Sequence, residues 1–288
     1  MNLLYFIVGN NIVYHKQCYF SILSFLVYKE NIDGIYIYTD FPEFYKSLGD
    51  RIHVEPIDQQ KIDEWKGEHN FFWRVKIKLL EDFSKNNPGQ LLVYLDTDTF
   101  LYQPPEKFLS ALRTNNSSFM HKRETMLHAK GHTQHKMWEQ IHDKEFGGMP
   151  IDRDAYMWNA GVVALPSEKQ LETIQQALLV CDEMCAQGVT QKLIEQFSLS
   201  YVLYKNGNLQ ACDDIIGHYW GNKDDWNALI SDFLMKSYFE NKTIDEMIAA
   251  LQYFDFRQTP VYLRVPTLKK RLLKMLDKYF KNKRIQYL

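Results

Sequence analysis

Residues 91–100 read Leu-Leu-Val-Tyr-Leu-Asp-Thr-Asp-Thr-Phe, an unbroken apolar run that ends in two aspartates two positions apart. A short, wholly apolar run bounded by polar residues is the mark of a strand buried on both faces, as in a parallel sheet covered by helices. Just before it, Asn86-Asn87-Pro88-Gly89 stops a helical pattern that runs from Phe72 to Phe83 with Trp73, Ile77 and Leu80 at four- and three-residue steps. Further back, Leu3 to Val8 predicts a first strand, Gly9-Asn10-Asn11 a loop, Ile12 to Tyr28 a helix, and Ile35 to Tyr38 and Ile52 to Val54 two short strands. Beyond the aspartates, residues 125–148 are polar and histidine-rich and read as an excursion over the sheet. Ala160 to Leu165 is another apolar strand, followed by helices over about 168–187 and 191–204, the second closed by Asn206-Gly207. This alternation predicts an α/β fold, a mostly parallel Rossmann-like sheet flanked by helices. It places one domain over 1–230 and a helical C-terminal extension over 231–288.

The 288 residues suffice for a sizeable core, and 45% hydrophobic with 24% charged content excludes both a disordered chain and a membrane-spanning one. Cys18, Cys181, Cys185 and Cys212 show no paired CxxC spacing and read as reduced core thiols. Met1 to Val8 has neither a basic flank nor a small-residue cleavage site, so it reads as a strand and not a signal peptide, and a cytoplasmic location is expected.

Charge is unevenly placed. Residues 268–284 carry eight basic residues and one acidic one, a charge of +7 that leaves −9 for the rest of a chain whose total is −2. Leu268, Leu272, Met275, Leu276 and Tyr279 fall on one face of a basic amphipathic helix starting at Pro266-Thr267. Such a helix either lies on an anionic membrane or packs its apolar face on the body. The acidic body carries no nucleic-acid recognition motif, so no nucleic-acid partner is expected.

Carboxylates at the end of a buried parallel strand lie at the sheet edge where ligands bind. Side by side they repel, and a divalent cation with oxygen ligands resolves the repulsion; capping of the following turn is the competing reading of an isolated DxD. Phosphatases of the haloacid dehalogenase type also place DxD after an apolar strand, with the first Asp as nucleophile and a Thr four positions later. Here that position is Phe100.

The DxD is followed by Trp158-Asn159-Ala160-Gly161, by Glu195-Gln196 on a helix, and by His218-Tyr219-Trp220-Gly221-Asn222-Lys223. In order and spacing this resembles glycosyltransferase family 8, retaining transferases with a GT-A fold that include glycogenin and bacterial lipopolysaccharide galactosyltransferases. The resemblance spans roughly residues 1–225. It departs from the family pattern at Glu195, where Asp is usual, and after Gly221, where one residue is missing and Asp224-Asp225 replaces Pro-Trp.

The resemblance implies metal-dependent transfer of a hexose from a UDP-sugar to a glycan or lipid-linked glycan acceptor. Asp96, Asp98 and His218 would hold Mn²⁺ or Mg²⁺, and Asn10, Asn11, Arg74, Lys76, Asp96, Gly221 and Lys223 would contact the donor. Asn159, Glu195 and Gln196 would surround the transferred sugar, with Gln196 near the anomeric carbon. Two rival readings are a sugar-nucleotide-binding protein without turnover and an Asp96-nucleophile phosphatase. His128, His132 and His135 share helical spacing but lack the Glu of a zincin, so they read as a solvated face.

Overall fold

A computed structural model describes residues 1–130 and 133–263 and, beyond them, Leu268, Arg271, Leu272, Met275, Leu276 and Tyr279. The first half lays down β1 (Asn2–Ile7), α1 (Ile12–Leu26), β2 (Gly34–Thr39), β3 (His53–Pro56), α2 (Gln59–Lys66), α3 (Arg74–Asn86), β4 (Leu92–Leu95) and β5 (Thr99–Leu101). Next come α4 (Glu106–Thr114), β6 (Ser118–Met120), β7 (Arg123–Met126), α5 (Thr133–Ile141), β8 (Glu145–Phe146), β9 (Met149–Pro150), β10 (Tyr156–Trp158) and β11 (Val162–Leu165). The chain continues through α6 (Gln170–Ala186), α7 (Ile194–Lys205), β12 (Leu209–Ala211), β13 (Ile216–His218), α8 (Lys223–Phe239) and α9 (Ile244–Leu251).

Seven strands form the central sheet in the order β12-β6-β11-β4-β1-β2-β3. Six run in one direction, and β11 opposes its neighbours β4 and β6. The reversal of β11 follows from where it starts. The excursion after β6 ends with β10 at the carboxyl edge of the sheet, so a strand re-entering there must run backwards.

The expected burial of β4 on both faces is what the structure shows. Leu92 and Tyr94 pack into one core with Ile77 and Leu80 of α3, Ile174 of α6 and Phe197 of α7. Val93 and Leu95 pack into the other with Phe20 of α1, Leu109 of α4, Ile230 of α8 and Met247 of α9. Each such side chain contributes about 1.5–3 kcal/mol when taken from water, which is why the strand tolerates no polar residue before Asp96. Position 230 falls inside α8, which packs on α1 through a Phe20–Phe233 ring contact and a Gln17–Asn227 hydrogen bond of 2.7 Å, while Met247 and Leu251 of α9 share the core with Phe20.

From β1 the chain moves outward to β2 and β3, then crosses back to lay β4 on the opposite side of β1. The carboxyl ends of β1 and β4 diverge at this switch point, which opens a crevice without any special insertion.

In the excursion, His128 meets the Arg153 carbonyl and His135 meets Glu139, so these two histidines have separate partners. His132, the third of that spacing, lies outside the described residues. Among the described residues no helix is long and apolar enough to cross a membrane.

Candidate metal and donor site

Asp96 and Asp98 sit in the turn between β4 and β5, and two antiparallel pairings bring the rest of the site to them. β11 pairs with β4 so that Val162 lies opposite Leu95, and the Asp96 amide donates to the Gly161 carbonyl at 2.8 Å. This places Asn159-Ala160-Gly161 beside the first aspartate. β13 pairs with β5 so that His218 lies opposite Thr99, and the Tyr219 amide donates to the Asp98 carbonyl at 3.1 Å. This places His218 beside the second.

Ligand-capable atoms of Asp96, Asp98 and His218 all fall within 4.8 Å of one another. His218 Nδ1 is 2.9 Å from Asn159 Oδ1, an amide oxygen that can only accept, so Nδ1 carries a proton and Nε2 is the nitrogen turned to the site. Asn159 Oδ1 also accepts from the Gly161 amide at 3.0 Å, which locks its orientation. Asp98 is buried, and its Oδ2 makes no well-angled hydrogen bond although His218 Nε2 lies at 3.4 Å and Lys223 Nζ at 2.9 Å. Burial would raise the Asp98 pKa, but the charges of His218 in its imidazolium form and of Lys223 outweigh it and hold the carboxyl well below the usual range. A buried carboxylate with an unsatisfied oxygen, a second carboxylate and a correctly protonated imidazole fit a divalent ion of the Mn²⁺ or Mg²⁺ type.

Lys76 is the internal counter-ion. Its ammonium lies 3.2 Å from Asp96, 3.1 Å from Glu195 and 3.1 Å from the Ala160 carbonyl, and it sits over the Tyr94 ring. The ammonium donates to the Ala160 carbonyl and pairs by charge with both carboxylates, so Lys76 is held among them, inside the site. Burial disfavours its charge, but Asp96 and Glu195 prevail and its pKa is raised. Burial raises the pKa of Glu195, against the pull of Lys76.

The carboxylates Asp96, Asp98 and Glu195 against Lys76, Lys192 and Lys223 leave the cleft without net charge when His218 is counted as neutral, and a bound dication would turn it to +2. That sign suits a diphosphate.

A cleft of about 390 Å³ is lined by Lys76, Asp96, Asp98, Asn159, Glu195, Gln196, His218 and Lys223, joined by Trp73, Ala160, Gly161, Lys192 and Trp220. Gln196 and Asn159 are tied together through Glu124, each donating to its carboxylate at 3.4 Å.

Four nominated residues are not brought into this cleft. Arg74 faces away: Nε and Nη2 bind Asp182 at 2.6 and 2.9 Å, and Nη1 binds the Trp65 carbonyl at 2.8 Å. Trp73, the N-cap of α3, and Lys76 three residues on both line the cleft, and Arg74 is turned about 100° from Trp73. Asn10 is exposed in the loop after β1. Asn11 is the N-cap of α1, accepting from the Val13 amide at 3.0 Å. Gly221 is required by the Tyr262 ring, which a Cβ would meet at 2.1 Å.

Sequence reasoning did not nominate Gly161, Glu124, His121, Trp73, Lys192 or Trp220. A Cβ on Gly161 would lie 2.2 Å from His218 Cε1, so only glycine lets the imidazole reach the aspartates. His121, buried edge-on to His218 with ring centroids 5.2 Å apart, has its pKa lowered to about 3 by burial, His218 and Lys122. Its neutral ring adds no charge beside the candidate ligand. Gly161→Ala is expected to weaken Mn²⁺ binding at least about tenfold, the size of effect seen when a ligand's orientation is disturbed, with near-native far-UV circular dichroism. Calorimetric titration checks this, and unchanged affinity would show that His218 is not a ligand.

The fold and site together define an α/β protein with a mostly parallel, Rossmann-like sheet and an Asp-Asp-His cluster able to hold a metal at its carboxyl edge. No protein-family profile matches the chain, and no curated protein is significantly similar to it.

Proposed function

We propose that the protein is a metal-dependent glycosyltransferase with a GT-A fold, moving a hexose from a UDP-sugar to a glycan acceptor with retention of anomeric configuration. One observation carries this reading: the Asp-Asp-His cluster, Lys223 and the pair Glu195-Gln196 line one cleft at the switch-point edge of the sheet.

A divalent ion held by Asp96, Asp98 and His218 would supply positive charge to the donor's diphosphate. Lys223, exposed on one side and 2.9 Å from Asp98, can turn its ammonium toward the same phosphate oxygens. The bond from the anomeric carbon to the diphosphate oxygen breaks with its electron pair on that oxygen. The acceptor hydroxyl attacks from the same face and its proton passes to the departing diphosphate. Gln196, tethered through Nε2 to Glu124, lies beside the reacting carbon as a positioning dipole. Glu195, pinned by Lys76, offers a carboxylate edge to sugar hydroxyls. Trp73 and Trp220, 52% and 43% exposed at the rim, provide flat faces for a sugar ring.

Incubation with individual UDP-sugars and Mn²⁺, with and without chelator, tests the reading. UDP release from at least one donor, abolished by chelation, is expected. Binding of UDP-sugars without release would reduce the protein to a binding module, and inverted product stereochemistry would remove the retaining assignment.

A further inference from the structure

Glu124, half-buried on β7, gathers three side-chain amides. Its Oε1 accepts from Asn159 Nδ2 at 3.4 Å, and its Oε2 accepts from Gln196 Nε2 at 3.4 Å and from Gln134 Nε2 of α5 at 3.2 Å. A carboxylate only accepts, so each amide must turn its nitrogen to Glu124 and its oxygen the other way. Shape alone would not decide this, because the two ends of an amide are nearly alike.

The direction matters at both cleft residues. Asn159 Oδ1 accepts from the Gly161 amide at 3.0 Å and from His218 Nδ1 at 2.9 Å, which leaves His218 Nε2 facing Asp98 at 3.4 Å. With the amide reversed, an NH2 group would meet the Gly161 N–H and would require Nδ1 to accept. The imidazole proton would then sit on Nε2, the nitrogen a metal needs bare. Gln196 lines the cleft, and its Oε1 receives no hydrogen bond from any described residue. That oxygen is the negative end of the amide dipole. Positive charge develops on the anomeric carbon as the glycosyl phosphate bond breaks, so the oxygen end stabilises it and the NH2 end would oppose it.

We propose that Glu124, which does not itself line the cleft, is a positioning residue that sets the direction of both amides at once. It holds Asn159 with its oxygen toward the candidate metal ligand and Gln196 with its oxygen toward the reacting carbon. The Gln196 half rests on the transferase reading above; the Asn159 half does not.

Exchanging donor and acceptor tests the proposal. Glu124→Gln keeps the shape but replaces one acceptor by an NH2 group, so in either orientation of the new side chain a donor meets a donor. It is expected to lower kcat for metal-dependent UDP release at least about tenfold, the size of effect typical for the outer-shell partners of a site. KM for the UDP-sugar should stay the same, since the lost dipole acts in the transition state. Glu124→Gln/Gln196→Glu reverses the pair: position 196 then accepts from position 124 and still presents an oxygen to the cleft. This double variant is expected to recover most of the loss, with unchanged circular dichroism throughout. A single variant as fast as wild type, or a double variant no faster than the single one, would overturn the Gln196 half.

Nuclear magnetic resonance of the side-chain NH2 groups reads the amide directions without turnover. The Asn159 and Gln196 signals, identified by their loss in Asn159→Ala and Gln196→Ala, are expected to shift in Glu124→Gln. An Asn159 signal that stays in place would overturn the Asn159 half. Absence of UDP release from the wild type with every donor would strike the transferase reading and the Gln196 half with it, while the Asn159 signal would still decide the other half.

Discussion

Asp98→Asn is expected to lower metal-dependent UDP release at least about a hundredfold and to leave the fold intact. The substitution keeps the shape and removes one unit of negative charge next to the candidate cation. At an effective dielectric near 20, two unit charges about 4 Å apart interact by about 4 kcal/mol, and a dication feels more. Folding should be little disturbed, because Lys223 is exposed on its other side and can return to water. Asn159 keeps the His218 imidazole in place through Nδ1 whatever stands at position 98. Steady-state release at saturating Mn²⁺, with urea unfolding as control, separates the two effects. Release equal to wild type would make the triplet a turn cap.

Lys76→Met is expected to be the most damaging change to stability, costing about 3–5 kcal/mol, the usual range when one partner of a buried pair is removed. Two carboxylates depend on this ammonium, and Glu195 has almost no access to solvent. Against a typical total of about 5–15 kcal/mol the loss is severe. In thermal unfolding it should appear as a drop of roughly 10 °C. Adding Glu195→Met to Lys76→Met should recover part of the loss, because it deletes the orphaned charge and leaves an apolar pair of similar size. A single variant as stable as wild type would show that Lys76 is not the counter-ion of the site.

These two residues also show what the sequence could and could not convey. Asp98 was legible because a doubly buried strand cannot hide its end: Leu91 to Leu95 is apolar throughout, and the first polar residues must lie at the sheet edge. His218 was legible through its motif, but its approach to Asp98 rests on the β5–β13 pairing between segments about 115 residues apart. No local pattern encodes that register. Gly217 takes part in it by leaving room for the Phe100 ring, which a Cβ would meet at 2.4 Å.

Lys76 was named for its charge, and what fixes its role is the count of acceptors around it, a tertiary fact. Arg74 illustrates the opposite failure. Its residue type fits a phosphate contact, yet its partner Asp182 on α6 takes it to the other side of α3. Glu124 lies on a short strand in an excursion with little periodicity, so nothing marked it as the tie between Asn159 and Gln196.

The claim on which the rest depends is that Asp96, Asp98 and His218 hold one divalent ion against a nucleoside diphosphate. Electron paramagnetic resonance of free Mn²⁺, titrated with the full-length protein in the presence and absence of UDP, measures this directly. One Mn²⁺ should bind per chain, held more tightly when UDP is present and lost in Asp98→Asn. No binding, or binding that UDP and Asp98→Asn leave unchanged, would contradict it.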